Sequence, residues 1–281
     1  MKQVVQTRLQ RNWDIRAAGN FSFGGTGSGL VIASALALAL GVASPLAVLV
    51  GLTFVGLGLF CVWLEIGKPW RAINVIFHPQ TSWMTREAMV VPFLMASGAA
   101  AIFIDIRFVY LAAIFAALFL YCQARMLLAS RGIPAWCQAE IVPLIIATGF
   151  TEGLAALLLV VGHVPTLVIA LLIVAAVREI ARERYRRGLV AGRTPAGTLA
   201  WLDSREEKLL LGVRLLAIAA LLLAVLGVAP GVLAITGVVL ALITGWALKV
   251  MIVTRAAFTR GQVITHTPTR GRGPTEIVLP S

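Results

Sequence analysis

Acidic residues are scarce in this chain: 12 Asp and Glu stand against 24 Lys and Arg in 281 residues, and charged residues of both signs make up only 13%. Soluble domains carry about 25%, so a water-soluble domain is excluded. Cysteine and histidine are scarcer still, with three of each. Cys61, Cys122 and Cys137 form no C-x-x-C pair, which excludes an iron–sulfur cluster or a Cys-based zinc site on the chain itself. A structural disulfide is not expected either, because the one loop cysteine faces a reducing compartment. His78 falls in one polar connection, His163 in a tight turn on the other side and His266 in the polar tail. No two of them can face each other across a bundle, which excludes a bis-histidine haem. The opening run MKQVVQTRLQRNWDIR has no short apolar core ending in a small-residue cleavage site, so no cleaved signal peptide is expected.

What is abundant is apolar: 59% of the residues, with a mean hydropathy of +0.93. Runs of the length needed to cross a bilayer, about 17 to 25 residues, lie near Ala18 to Gly41, Leu46 to Ile66, Ala88 to Ile104 and Phe108 to Leu128. Further runs lie near Ala139 to Val161, Pro165 to Val177, Leu209 to Val228 and Gly231 to Val253. The sixth is the shortest, since Arg178 follows it; its helix is expected to continue as an aqueous extension. The predicted fold class is therefore all-α, a polytopic integral membrane protein of eight transmembrane helices. Residues 1–253 form the membrane domain and 254–281 a polar, basic tail. Arg260 to Ser281, rich in Thr, Gly, Pro and Arg, cannot bury a core and are expected to be disordered unless a partner orders them.

With the spans drawn this way, all but one of the 24 Lys and Arg fall on the side of the termini; only Arg107 lies opposite. Short basic loops stay cytoplasmic, so both termini and the longer connections are expected in the cytoplasm. The net charge of +12 then reports topology and attraction to the membrane surface, and a nucleic-acid partner is not expected.

The polar segment from Glu65 to Glu87, EIGKPWRAINVIFHPQTSWMTRE, interrupts this apolar sequence between two spans. Lys68, Arg71, His78 and Arg86 bring positive charge to a bilayer surface, Glu65 and Glu87 flank them at helix ends, and Trp70 and Trp83 suit the headgroup level. Deeper ionisable groups are the stronger pointer. Glu152 lies roughly 18 Å beyond Glu140 along one helix, so it must face the bundle, pair, or stay protonated. Arg125 and Glu140 read most simply as an interfacial pair. For Glu65, a functional role and simple pairing with Lys68 and Arg71 stand level. The run Gly24-Gly25-Thr26-Gly27-Ser28-Gly29 lacks the Lys-Ser/Thr ending of a phosphate loop and reads as close helix packing. REIARERYRR, Arg178 to Arg187, reads equally as a solvated helix extension held by i,i+4 pairs or as an amphipathic surface for lipid or a partner.

Leu64-Glu65-Ile66-Gly67-Lys68-Pro69-Trp70-Arg71-Ala72 followed by Thr81-Ser82-Trp83-Met84-Thr85-Arg86-Glu87 resembles the hallmark of the dimethyl sulfoxide reductase anchor family, part of the wider NrfD-like group of eight-helix membrane subunits. Gly132-Ile133-Pro134-Ala135-Trp136, Pro143-Leu144, Thr148 and Gly153 resemble the loop and fifth helix of the same proteins. The likeness covers most of the first five helices; the later ones match only in hydropathy. Where the best-known anchor subunit of that family has a histidine linked to quinol binding in an H-x-G-x-P motif, this chain has Glu65. The run Trp13 to Phe21, WDIRAAGNF, is similar to the branch that holds membrane subunits of phenylacetyl-CoA:acceptor oxidoreductases.

The resemblance implies a non-catalytic subunit in the bacterial cytoplasmic membrane. It would anchor a molybdopterin catalytic subunit and a four-cluster iron–sulfur subunit and exchange electrons between the latter and the quinone/quinol pool. Quinone chemistry moves protons with electrons, so Glu65 or His78 would exchange protons, and Lys68, Arg71 or Arg86 would stabilise negative charge, with Trp83 and Glu87 in the same site. Trp70, Arg131, Pro134 and Trp136 would face the docked partner. Two other readings remain: a secondary transporter whose Glu152 and Glu140 bind a coupling proton, and a purely structural anchor.

Overall fold

Five of the long helices open on a local start signal. Ser44 and Pro45 begin α3 (Pro45–Glu65), with the Ser44 hydroxyl accepting the Ala47 N–H. Ser82 caps α4 (Trp83–Phe103) through the Thr85 N–H, and Ser204 caps α9 (Arg205–Val225) through the Glu207 N–H. These hydroxyls satisfy donors that a helix start leaves orphaned. Pro165 opens α7 (Pro165–Ala191) and Pro230 opens α10 (Pro230–Thr254), both at the position where a missing N–H costs nothing. Between α9 and α10 the chain turns through Gly227 and Ala229, both at positive φ.

The computed structural model describes residues 5–66, 77–192 and 194–264. The first span is built from α1 (Ile15–Gly19), a π-helical turn (Asn20–Gly24) and α2 (Gly25–Ala39), running as one rod. After α3 and α4 come α5 (Phe108–Ala129), α6 (Ile141–Val161), α7, the short α8 (Ala196–Leu202), α9 and α10. Among the described residues, seven helices are long and apolar enough to cross a membrane. They match the runs expected near Ala18, Leu46, Ala88, Phe108, Ala139, Leu209 and Gly231, and the third begins five residues earlier than read, at its Ser82 cap. The chain is thus an all-α, multi-pass membrane protein. The remaining helix, α7, is the longest at 27 residues, but its second half is charged.

At the core, α2 packs against α3, α5 and α6. The contact with α6 is a backbone approach in which a Cβ on Gly29 would collide with Gly149 and one on Gly153 would collide with Gly29. The expected close packing of the glycine run holds here, as small residues let membrane helices meet without a hydrophobic drive.

The two ends of the chain are tied together. β1 (Val5–Leu9) pairs antiparallel with β2 (Phe258–Ile264), setting Val5 opposite Ile264 and Leu9 opposite Phe258. The tail expected to be disordered from Arg260 onward therefore begins inside a strand. What orders residues 260–264 is the N-terminal segment of the same chain, since two edges satisfy each other's backbone groups. Beneath this ribbon, Trp136 Nε1 donates to the Ile252 carbonyl at 3.0 Å, Tyr185 OH to the Ala135 carbonyl at 2.8 Å and Thr198 Oγ1 to the Ala256 carbonyl at 2.7 Å.

Candidate functional site

Two groups of buried ionisable side chains lie in the half of the bundle nearest the termini. The first spans α2, α6 and α10. Lys249 Nζ pairs with Glu152 Oε2 at 2.7 Å, with both side chains wholly excluded from solvent, and also donates to the Phe21 carbonyl at 2.9 Å. Thr26 Oγ1 lies 2.8 Å from Glu152 Oε2 and accepts Trp246 Nε1 at 2.8 Å. Gly25 and Gly245 make room: a Cβ at either would strike Lys249 or Glu152. The π-turn carries Asn20 and Phe21 into this group; such insertions commonly mark functional sites.

The second group joins α7 to α9. Glu207 accepts Arg182 at 3.0 Å and Arg214 at 2.8 Å, while Glu179 accepts Arg182 at 3.1 Å, Arg214 at 3.2 Å and Arg178 at 3.3 Å. Three arginines thus share two carboxylates. Arg178 Nη1 also donates to the Ala241 carbonyl at 3.1 Å, and Arg178 lies within electrostatic reach of Glu152. The reading of REIARERYRR as a solvated extension or an amphipathic surface holds for one face alone: Ile180, Arg184 and Arg187 are exposed, whereas Arg178, Arg182 and Tyr185 are buried. The Glu183–Arg187 pair does form, at 2.9 Å.

The residues expected around a quinone divide. Glu87 does not merely flank the polar segment; it is buried in the second turn of α4, beside the side-chain amides of Asn20 and Gln123. Its Oε1 has no partner. It stands at the inner end of a cleft of about 370 Å³ between α3 and α4, whose walls include Leu59, Phe60, Trp63, Met84 and Ala88. Phe60 and Trp63 are exposed on the outer, apolar face of the bundle, so the cleft opens toward lipid. Glu65, half-buried at the end of α3, lines a smaller adjoining cavity with Trp13, Asn20 and Phe21; Val62 and Met84 separate the two. Arg86 turns back to the Pro79 and Gln80 carbonyls at 2.8 and 3.0 Å. The guanidinium groups of Arg86 and Arg125 both lie over the Trp83 ring, at 4.1 and 4.7 Å from its centre. His78 is exposed in the turn before α4. Lys68, Trp70 and Arg71 lie outside the described residues.

Other expectations are corrected. Arg125 does not pair with Glu140: it donates to Tyr121 OH at 3.2 Å and stacks on Trp83, whereas Glu140 packs against Gly188 of α7. Pro134 and Trp136, read as docking residues, are buried, Trp136 stacking on Trp13 at 4.8 Å; Arg131 is exposed. Lys249, counted with the cytoplasmic charges, is inside the bundle.

Lys249, Asn20, Gln123 and Arg178 were missed as site residues. Lys249 is the one charged residue within α10, which is the signal that marks it; its nearness to the helix end makes it resemble a snorkelling lysine. Outside the spans, the Asp14 carboxyl is held below the usual carboxylate range by hydrogen bonds from the Arg16 side chain and backbone. Burial pushes the Cys137 thiol up. No family model matches the chain, and no curated protein matches it.

Proposed function

We propose that this chain is the membrane anchor of a molybdopterin and iron–sulfur oxidoreductase complex, exchanging electrons between a four-cluster iron–sulfur subunit and the quinone pool. The observation that carries the reading is the α3–α4 cleft, with apolar and aromatic walls, an opening on the lipid side and a buried carboxyl oxygen without a partner at its inner end. A quinone ring has flat apolar faces and oxygens that gain or lose protons, and it arrives from the bilayer. The cleft fits that chemistry with walls for the ring and Glu87 to hold or move one proton. Glu65 stands one cavity nearer the surface, where it can pass that proton to water.

In this reading the chain crosses the bacterial cytoplasmic membrane eight times, α7 being the eighth span, with both termini cytoplasmic. The apolar first half of α7 supports the count, as does the pairing of its buried arginines with Glu179 and Glu207. The basic asymmetry supports the orientation. A pocket of about 470 Å³ beside Arg131, Trp13 and Arg260, under the β1–β2 ribbon, provides a basic face for the iron–sulfur partner.

The test is purification of the complex from membranes, with metal analysis and iron–sulfur EPR, followed by Glu87→Gln. Glutamine keeps the size but cannot take up a proton. Quinone-linked turnover is expected to fall about 100-fold, with partners still bound and activity toward a soluble artificial acceptor unchanged. Unaltered quinone-linked turnover sinks the site. A cysteine at Thr269 should react with an impermeant reagent only after cells are opened; reaction in intact spheroplasts overturns the orientation. The buried Glu152–Lys249 pair favours a second reading, a proton-coupled transporter. Isolation of the chain without metal-bearing partners, together with proton flux in vesicles, would put that reading first.

A further inference from the structure

Glu87 and Glu152 are both buried in the terminal half of the bundle, and the ammonium paired with Glu152 lies across Gly25 from the amide of Gln123, which adjoins Glu87. Lys249 uses two of its three N–H donors, on Glu152 and on the Phe21 carbonyl. Its other side faces Gly25. A Cβ on that glycine would fall on Lys249 Nζ and lie 3.7 Å from Gln123 Oε1, so the missing side chain is a gap between the two polar groups. Beyond the gap, Gln123 Oε1, Asn20 Oδ1 and Glu87 Oε1 are all buried acceptors without a partner. On the near side, Glu152 Oε1 is also unpartnered. Oxygens shielded from water favour any arrangement that gives them a donor, and Lys249 has one N–H left to give, on a flexible four-carbon stem.

We propose that Lys249 is a mobile ammonium that moves across Gly25 between Glu152 and the Glu87–Gln123–Asn20 group, so that the two carboxyls hold a proton in alternation. With Lys249 on Glu152, Glu152 is the carboxylate and Glu87 carries a proton. With Lys249 toward Glu87, Glu87 is the carboxylate and Glu152 carries the proton. One O–H bond breaks, one forms, and the charge of the buried group does not change. Such an exchange avoids the cost of a second unpaired charge in the membrane interior.

The groups facing Glu152 are Lys249 of α10, Thr26 of α2, which Trp246 holds, and Arg178 of α7. Those facing Glu87 are Asn20 of the π-turn, Gln123 and Cys122 of α5, and Arg86 of its own helix, with Glu65 of α3 in the adjoining cavity. From Glu152 the way outward passes Arg178 to Glu179 and Glu207, at the end of the bundle that bears the termini. As a route for protons exchanged with a quinone in the cleft, the device rests on the function proposed above; as a coupling between two carboxyls it does not.

The experiment therefore reads the coupling alone. The full chain in lipid nanodiscs is titrated with pH while infrared spectroscopy follows the carbonyl stretch of protonated carboxyls. In Glu87→Gln, which leaves the ion pair whole, the Glu152 midpoint is expected to shift by ~1 pH unit or more. Glu152→Gln should move the Glu87 midpoint by a similar amount. In a Lys249→Met background, where no ammonium can move between the two groups, Glu87→Gln should no longer move the Glu152 midpoint. If Glu152→Gln or Lys249→Met fails to accumulate, Glu87→Gln alone decides. A Glu152 midpoint unmoved by Glu87→Gln overturns the proposal. Loss of quinone-linked turnover with the coupling absent, or coupling without any quinone-linked turnover, separates this idea from the function above.

Discussion

The half of the bundle that carries the termini and the half that faces away are made from the same helices, yet their interiors are opposite in kind. Away from the termini, α2, α6, α7, α9 and α10 meet through Leu30, Leu157, Leu171, Leu221 and Val238, with alanines between them. Toward the termini, the same helices bring together Thr26, Glu152, Arg178, Arg214 and Lys249. The apolar half satisfies its backbone internally and packs without any polar side chain in need of a partner. The other half accepts several buried charges that packed hydrophobic residues of similar volume would replace at no loss of stability. What the contrast teaches is that the fold does not need the charges. The apolar half shows that these helices associate without them, so the ionisable half is where function is to be sought.

The sharpest way to break the contrast is to strip one partner from the buried pair. Lys249→Met leaves Glu152 uncompensated and should destabilise the protein by about 3–5 kcal/mol, seen as a lower midpoint in thermal unfolding in detergent. Adding Glu152→Gln should restore most of that loss, and a double variant as unstable as the single would mean that the pair is structural. In the apolar half, Leu157→Ala should cost about 2 kcal/mol through the space it leaves while quinone-linked turnover per assembled complex stays at the parent value. Reduced turnover there would erase the functional distinction between the halves. Smaller still is Glu65→Gln at the rim: the complex should assemble normally and lose quinone-linked turnover several-fold, since the carboxyl nearest the surface is replaceable by water.

The smallest effect should come from Asp14→Asn at the start of α1, since asparagine still caps a helix. The folded Asp14 carboxyl is held below its ordinary value by Arg16. Its contribution is therefore present above the unfolded value near ~3.9 and fades as pH falls through the lower folded value. The difference in melting temperature between parent and Asp14→Asn should shrink in acid, and a gap that widens on acidification would refute this.

The spans were legible from the sequence because seven of the runs contain enough uninterrupted apolar residues to be helices of the required length wherever they pack. The burial of Glu152 was legible for the same reason, since a carboxyl so far along a span has no route to water. Its partner was not. Lys249 and Glu152 are 97 residues apart, and hydropathy reports depth along a helix without reporting which face meets which neighbour. Trp136 and Pro134 misled for a related reason, because an aromatic in a loop reads as exposed until the stack on Trp13 and the bond to the Ile252 carbonyl cover it. Arg178 was read as the start of a solvated extension, and only the approach of α10, whose Ala241 carbonyl accepts from it, and of Arg214 from α9, which shares Glu179 with it, places it in the interior.

By itself, then, the sequence determined the solvent: lipid around apolar helices, basic residues gathered toward one end, and a carboxyl in the interior. These follow from local composition, because the cost of placing a group in hydrocarbon depends on the group and its depth. Tertiary structure alone decided which carboxyl lines the cleft, that Lys249 pairs with Glu152, and that the N-terminal segment orders the start of the tail. Those outcomes depend on helix rotation and on contacts between segments distant in the chain, where a few ångströms decide whether a charge meets its partner or an empty gap.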